Sequence, residues 1–95
     1  MPIRSFKDPD VRFFFMKGLT VRRKGWNAVR NIVKRKLDML HYAQELKDLR
    51  SPPNNRLESL KGDLEGFYSI RVNDQWRIVF RWDYEAHDVC VMDYH

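Results

Sequence analysis

Three side chains in this chain have the chemistry needed to cleave RNA without a metal ion: those of Glu58, Arg77 and His95. In such a reaction a base deprotonates the ribose 2′-hydroxyl, a cation stabilises the charge that develops on the phosphate, and an acid protonates the leaving 5′-oxygen. We expect Glu58 at a loop edge, Arg77 on a central strand and His95 at the end of the last strand. On the residues alone, each also fits a plainer interpretation, as a surface carboxylate, an exposed arginine and a terminal histidine.

Other kinds of catalytic site find little support in the sequence. There is no Gly-rich phosphate loop and no recognisable Ser/His/Asp arrangement. His41, His87 and His95 lack metal-ligand spacing, so we expect no metal and no other cofactor. The single cysteine, Cys90, excludes a disulfide within the chain, and we expect it to be a small buried residue in a strand.

The length of 95 residues predicts one domain covering residues 1–95. A content of 43% hydrophobic residues is enough for a packed core and argues against disorder. No stretch approaches the roughly 20 apolar residues of a membrane span, and the N-terminus lacks the apolar core of a signal peptide. We therefore expect a cytoplasmic protein.

Positive charge is concentrated in the N-terminal half. Residues 1–56 contain 14 Lys and Arg against five Asp and Glu, whereas residues 57–95 contain four against eight. Such a basic half suits a polyanionic partner through phosphate contacts, and it suits an acidic protein partner equally well. A basic helix face is also often only a solvated face.

Two helices are predicted before residue 52. Asp8 and Pro9 are typical of a helix start, and Gly18 of its end. Asn27 is expected to cap the second helix, and helical structure is expected to continue to about Arg50. The apolar positions at helical spacing in the second helix are Val29, Ile32, Val33, Leu37 and Leu40. Its outer face carries Arg30, Lys34, Arg35 and Asp38.

Residues 52–55, Pro-Pro-Asn-Asn, break this pattern, and apolar residues then alternate with a period of two. The alternation predicts strands around residues 68–72, 77–82 and 89–92, joined by short turns into an antiparallel meander. Residues 3–6 could add a short strand. The predicted fold class is α+β, with N-terminal helices packed on a small antiparallel sheet of three to four strands.

One face of this sheet is expected to present Arg71, Arg77 and Arg81, with Phe67 and Tyr94 near its rim. A concave face lined by arginines and aromatic rings suits single-stranded nucleic acid, which needs cationic contacts and stacking surfaces. Exposed sheet faces are commonly polar, however, so this pattern alone is only suggestive.

Several stretches, in order and at matching spacing, resemble the HigB family of the RelE/ParE toxin superfamily. Residues 57–71, LESLKGDLEGFYSIR, resemble the central signature of RelE-superfamily toxins. Residues 72–82 and the ending 91–95 resemble the HigB branch, including its GraT-like members. Residues 3–6 and 49–57 match as well, so the resemblance covers nearly the whole chain.

The resemblance implies a toxin of a type II toxin-antitoxin system: a ribosome-dependent endoribonuclease that cleaves mRNA in the A site and inhibits translation. It implies a HigA-type helix-turn-helix antitoxin as partner, with operator DNA contacted only through that antitoxin. It also implies helices packed on a small antiparallel sheet, the fold class that the sequence pattern predicts.

Roles for individual residues follow from the same resemblance. Asp93, Tyr94 and His95 match the C-terminal HigB motif, whose residues serve catalysis. Lys61 matches the lysine of a Leu-Lys-Gly motif that contacts phosphate, and Arg77 matches the arginine that stabilises the scissile phosphate.

Glu58 departs from part of the family. Some HigB toxins have histidine at this position, whereas the related YoeB toxins have a glutamate that acts as general base. Our hypothesis is that Glu58 is the base and His95 the acid, with Asp93 and Tyr94 positioning the substrate or helping proton transfer.

Further basic residues are candidates for binding RNA rather than cutting it, because phosphate contacts position a substrate. Arg71 is a weaker candidate for a substrate contact. Two basic clusters are expected to bind ribosomal RNA. The first consists of Arg22, Arg23 and Lys24, and the second of Lys34, Arg35 and Lys36. Trp76 and Trp82 are expected to pack in the core or on the sheet.

The main alternative to an enzyme is a binding module with the same fold. Such a protein would occupy the ribosome or an antitoxin without cleaving RNA, and would act with its antitoxin as a transcriptional co-repressor.

Overall fold

A computed structural model describes residues 3–19 and 25–93 of the chain. Two α-helices precede one antiparallel sheet whose strands lie in chain order, which confirms the predicted α+β class. The helices are α1 (Pro9–Lys17) and α2 (Arg30–Tyr42), and the strands are β1 (Glu58–Ser59), β2 (Tyr68–Arg71), β3 (Trp76–Trp82) and β4 (Ala86–Asp93). Short 3₁₀ helices cover Gly25–Val29, Leu46–Arg50, Pro53–Asn55 and Gly62–Leu64.

Helix α1 has the predicted boundaries. A side-chain oxygen of Asp8 accepts the backbone N–H of Asp10 at 2.9 Å, and so caps the first turn. Gly18 has a left-handed φ of 72°, and its N–H donates to the carbonyl of Phe14 at 2.8 Å. Val11 and Phe14 are the buried residues of the helix.

Helix α2 begins later than predicted, so the assignment of Asn27 as its cap is wrong. Asn27 lies within the 3₁₀ helix Gly25–Val29, where its carbonyl accepts a hydrogen bond from the Arg30 guanidinium at 3.0 Å. A Cβ at Gly25 would lie 2.5 Å from the ring of Trp76, so this ring packs directly against bare backbone. The segment before α2 thus packs against the sheet through Trp76.

Helical structure continues to Arg50 as predicted, but in two separate elements. Helix α2 stops at Tyr42, and a separate 3₁₀ helix, Leu46–Arg50, follows. Between them, the carboxylate of Asp48 accepts the backbone N–H groups of Gln44 and Glu45 at 3.1 and 3.0 Å, which gives those groups a partner outside a helix. No helix among the described residues is long and apolar enough to span a membrane.

The sheet is a meander with β3 at its centre. Ile70, Ile78 and Val91 are register partners across β2, β3 and β4, and all three belong to the main core against the helices. Between β2 and β3, the side-chain oxygen of Asn73 accepts the backbone N–H groups of Gln75 and Trp76, which confirms the predicted tight turn.

The additional strand is β1, not residues 3–6. The N-terminal segment runs beside β4, with the Arg4 N–H donating to Ala86 and the Val89 N–H donating to Ser5. It forms only an isolated bridge between Phe6 and Val89. The two-residue strand β1 shows no alternation that a sequence pattern could reveal.

A buried polar contact connects α2 to the segment that follows it. Lys36 Nζ donates to Asn55 Oδ1, and Asn55 Nδ2 donates to the carbonyls of Leu49 and Ser51 at 3.1 and 3.2 Å. Lys36 is only 4% exposed and Asn55 is fully buried. The expectation that Lys36 belongs to a surface cluster contacting ribosomal RNA is therefore wrong, because its side chain is buried against Asn55.

Burial lowers the pKa of Lys36 below its ordinary value of 10.5, and the neighbouring charges of Arg35 and Arg71 lower this pKa further. The charged form of Lys36 is thus less favourable in the folded protein than in the unfolded chain.

We expect Asn55→Ala to reduce the free energy of unfolding by about 2–4 kcal/mol, because Lys36 and two backbone carbonyls lose their partner. Urea denaturation measures this change. The matched control is Asn54→Ala, since Asn54 is exposed, and its effect should stay within about 0.5 kcal/mol. Equal effects of the two substitutions would contradict the structural role of Asn55.

The lowered pKa of Lys36 predicts a pH dependence of stability. As pH rises towards 10.5, the folded protein releases the Lys36 proton before the unfolded chain does, so the free energy of unfolding rises. Lys36→Met removes this contribution. The unfolding free energy of the wild type minus that of Lys36→Met should therefore increase with pH over this range, and a flat or falling difference would refute the assignment.

Candidate active site

The sheet brings Glu58 and Arg77 together, two of the three residues with RNA-cleaving chemistry. Arg77 Nη1 donates to Glu58 Oε1 at 3.4 Å. Their strands, β1 and β3, are the two neighbours of β2, and Ser69 of β2 is the register partner of both Glu58 and Val79. The longer side chains of Glu58 and Arg77 therefore meet across β2, near the small side chain of Ser69.

The two members of this pair differ in exposure. The Arg77 side chain is 11% exposed and that of Glu58 is 46% exposed. The Arg77 guanidinium is thus largely buried on the sheet, whereas the Glu58 carboxylate is accessible to solvent. This arrangement places an accessible proton acceptor beside a fixed cation, a combination that suits reaction at a phosphate.

An apolar cluster covers the sheet face around the pair. It consists of Leu60, Phe67, Val79 and Cys90. Apolar surroundings strengthen electrostatic interactions at a site, because fewer water molecules screen them. The prediction for Cys90 as a small buried residue in a strand is confirmed, and burial raises the pKa of its thiol.

This cluster also corrects the expectation of an open, arginine-lined sheet face. Phe67 is buried, and its ring is contacted by the Arg81 guanidinium at 4.5 Å and by Lys7 Nζ at 5.4 Å. The ring therefore serves as a partner for cations of this chain rather than as a free stacking platform. Arg77 is buried as well.

Arg71 lies opposite Arg77 in the register of β2 and β3, as expected for adjacent strands. Its side chain forms an ion pair with Asp74 and lines a separate cavity that also contains Arg35 and Lys36. The structure thus gives Arg71 and Arg77 different carboxylate partners.

Asp93 belongs to the opposite side of the sheet from Arg77. Its register partner is Trp76, whereas Arg77 is paired with Met92, and side chains alternate between the two faces of a strand. The Asp93 carboxylate accepts a hydrogen bond from Gln75 Nε2 at 3.1 Å. The sequence pattern did not indicate Gln75, and its position directly before β3 was the available signal.

Lys61 is exposed and lies in the connection between β1 and β2, immediately before the 3₁₀ helix Gly62–Leu64. It follows Glu58 by three residues, so both belong to one edge of the sheet. The other site candidates, Tyr94, His95, Arg22, Arg23 and Lys24, lie outside the described residues.

Two further features concern the surroundings of the pair. The buried Ser69 hydroxyl has no hydrogen-bond partner within residues 3–19 and 25–93, and sequence analysis did not single it out. The same residues contain no group of three or more His, Cys, Asp or Glu side chains that could hold a metal ion. Trp76 and Trp82 pack against the main core, as predicted.

Comparisons with known proteins identify the family of this chain. The model of HigB-like toxins, described as RelE-like toxins of the type II toxin-antitoxin system HigB, matches residues 4–95. The chain is 33% identical to Endoribonuclease HigB of Proteus vulgaris over 94 residues, which cover 98% of this chain and 99% of that protein. It is 50% identical to Toxin HigB-1 of Vibrio cholerae over 56 residues, which cover 59% of each chain.

A solved structure shows the same fold. A chain of the YoeB-YefM complex from Staphylococcus aureus superposes with a TM-score of 0.56 at 20% sequence identity, covering 100% of this chain and 97% of that one. Because the family model spans almost the whole sequence and a relative of full length shares a third of its residues, the chain belongs to the HigB-like family of RelE-like toxins.

Proposed function

We propose that this protein is an endoribonuclease that cleaves mRNA on the ribosome by metal-free acid-base catalysis and thereby inhibits translation. The contact between Glu58 and Arg77 at 3.4 Å carries this proposal, because it joins an accessible carboxylate to a fixed guanidinium. The name of the Proteus vulgaris relative, an endoribonuclease, supports the same activity.

In the proposed reaction Glu58 takes the proton of the ribose 2′-hydroxyl. The 2′-oxygen attacks the adjacent phosphorus, and Arg77 stabilises the negative charge that grows on the phosphate oxygens. The bond from phosphorus to the 5′-oxygen breaks, and His95 protonates that oxygen. The products are a cyclic 2′,3′-phosphate and a free 5′-hydroxyl.

The other site residues position the RNA in this proposal. Lys61 contacts a phosphate from the exposed connection beside Glu58. Asp93 and Tyr94 orient the substrate or help proton transfer, Asp93 from the end of β4 on the sheet face opposite Arg77. The roles of Tyr94, His95 and Lys61 rest on the resemblance of their motifs to those of HigB toxins.

In this mechanism the ribosome positions the substrate. The Glu58 carboxylate is 46% exposed to solvent, so the protein alone encloses its substrate poorly. A substrate held in the A site reaches the pair in a fixed orientation, and orientation alone accounts for a large share of many catalytic barriers. The basic half of the chain, including Arg22, Arg23 and Lys24, then contacts ribosomal RNA.

An antitoxin completes the proposed system. The structural relative YoeB occurs in a complex with YefM, which supports an antitoxin partner for this chain too. We assign it to the HigA type with a helix-turn-helix domain, and operator DNA is contacted through this partner.

Loss of the proposed chemistry is measurable with single substitutions. We expect Glu58→Gln, Arg77→Gln and His95→Ala each to reduce the rate of mRNA cleavage by about 10²-fold or more. The matched control is Glu65→Gln, because Glu65 is an exposed carboxylate in the connection between β1 and β2. Cleavage is measured on translated mRNA with purified ribosomes.

Denaturation of the same variants separates chemistry from folding. Because Glu58 is half exposed, Glu58→Gln should change the free energy of unfolding by less than about 1 kcal/mol. If all three variants cleave mRNA as fast as the wild type, the roles assigned to Glu58, Arg77 and His95 fail. If the wild type and the variants all arrest growth and none of them cleaves mRNA, a non-catalytic binding module that acts as a co-repressor becomes the better description.

Ribosome dependence is tested by mapping mRNA 5′ ends after induction of the toxin, with the same RNA free of ribosomes as the control. We expect new 5′ ends at codon positions on translated mRNA and at least about 100-fold slower cleavage of free RNA, since the free site lacks a positioned substrate. Equal cleavage of both RNAs would refute the role of the ribosome.

A further inference from the structure

A second polar cavity lies outside the Glu58-Arg77 pair. Its volume is about 330 Å³, and it is bounded by α2, by the segment 52–54 and by the end of β2. Three cationic side chains line it, those of Arg35, Lys36 and Arg71. We call this cavity the α2 pocket.

Positive charge in the α2 pocket has little compensation. Among the described residues, no carboxylate lines the cavity. Arg71 forms an ion pair with Asp74, but the Asp74 side chain is 98% exposed and therefore points into solvent. Three cations thus share one concave site with a single carboxylate at its outer margin.

Lys36 has spare hydrogen-bonding capacity in this cavity. An ammonium group has three N–H donors, and one of them is used for Asn55 Oδ1. The described part of the chain supplies no second acceptor, although Lys36 is 96% buried. Burial lowers the pKa of Lys36, and the neighbouring charges of Arg35 and Arg71 lower it further, so both arginines repel the Lys36 ammonium. An anion in the cavity would relieve this repulsion.

We propose that the α2 pocket binds a backbone phosphate of the RNA whose scissile phosphate lies at the Glu58-Arg77 pair; this inference rests on the proposed function. Guanidinium groups match phosphate oxygens in pairs, and an ammonium adds a further donor. Arg71 of the pocket and Arg77 of the pair are register partners on β2 and β3. The two cationic sites are therefore neighbours on one sheet, as needed for two phosphates of one strand.

Binding of a 12-nucleotide single-stranded RNA with 2′-O-methyl riboses tests the proposal, because this RNA cannot be cleaved. Fluorescence anisotropy at several salt concentrations is measured for the wild type, Arg35→Gln and Arg12→Gln. Both arginines are exposed, on α2 and α1 respectively, so the two variants keep the core and lose one charge each. Arg12 does not line the α2 pocket.

We expect Arg35→Gln to weaken RNA binding about 5- to 10-fold and to reduce the slope of log affinity against log salt by about 0.7, the value for one phosphate contact of a single strand. Arg12→Gln should stay within about twofold of the wild type, because it loses a charge but no phosphate contact. Equal effects of the two substitutions, or no measurable binding by the wild type, would overturn the proposal.

Two further measurements distinguish RNA from other ligands of the α2 pocket. If inorganic phosphate shifts the amide NMR signals of Val72 and Asn54 and the RNA does not, the cavity is a site for free anions and the proposal is wrong. If Arg35→Gln weakens binding of the antitoxin but not of the RNA, the cavity serves a protein partner and the proposal is equally wrong.

Cleavage and binding measured on the same proteins separate this inference from the proposed function. If the wild type cleaves mRNA while Arg35→Gln and Arg12→Gln bind RNA alike, the pocket is refuted and the enzyme stands. If the wild type cleaves no mRNA, the proposed function is refuted, and with it the scissile phosphate at the Glu58-Arg77 pair; the binding measurements then decide only whether the α2 pocket contacts an RNA phosphate.

Discussion

The pairing of β3 with both neighbouring strands is the constraint on which the rest of the structure depends. Ile78, Val79 and Phe80 are consecutive and fully buried, so both faces of the strand are covered. A slip of one residue would exchange the side chains of the two faces, and neither packing cluster would then fit. The register that results directs Arg77 to the face shared with Ser69 and places it within reach of Glu58.

The same register creates an electrostatic problem. Arg71 and Arg77 are direct partners on adjacent strands, and like charges at such positions destabilise a sheet. Each guanidinium has a different carboxylate partner, Glu58 for Arg77 and Asp74 for Arg71. Both carboxylates are more exposed than the arginines that they accompany. A polyanion can therefore approach the arginines where these partners face solvent, which is the physical link between the sheet and the proposed RNA binding.

Much of the architecture was predictable because local interactions decide it. Asp8 and Gly18 delimit α1 through contacts within their own turns, and Asn73 forms its turn with the next two residues. The burial of Lys36 was not predicted, although its spacing along α2 indicated it. It lies three residues after Val33 on the buried side of α2, but its charge suggested an exposed position. Its burial depends on Asn55, which the chain brings back from 19 residues away.

The sequence by itself determined the fold class, the caps and turns, the strand alternation and the family motifs that nominate Glu58, Arg77 and the C-terminal residues. These properties are encoded in neighbouring residues and in their periodicity. Only the tertiary structure decided that Glu58 lies on a short edge strand beside Arg77, that Asp93 belongs to the other sheet face, and that Lys36 joins Arg35 and Arg71 in one cavity. These are contacts between residues far apart in the chain, and they depend on strand register and on the packing of α2 against the sheet.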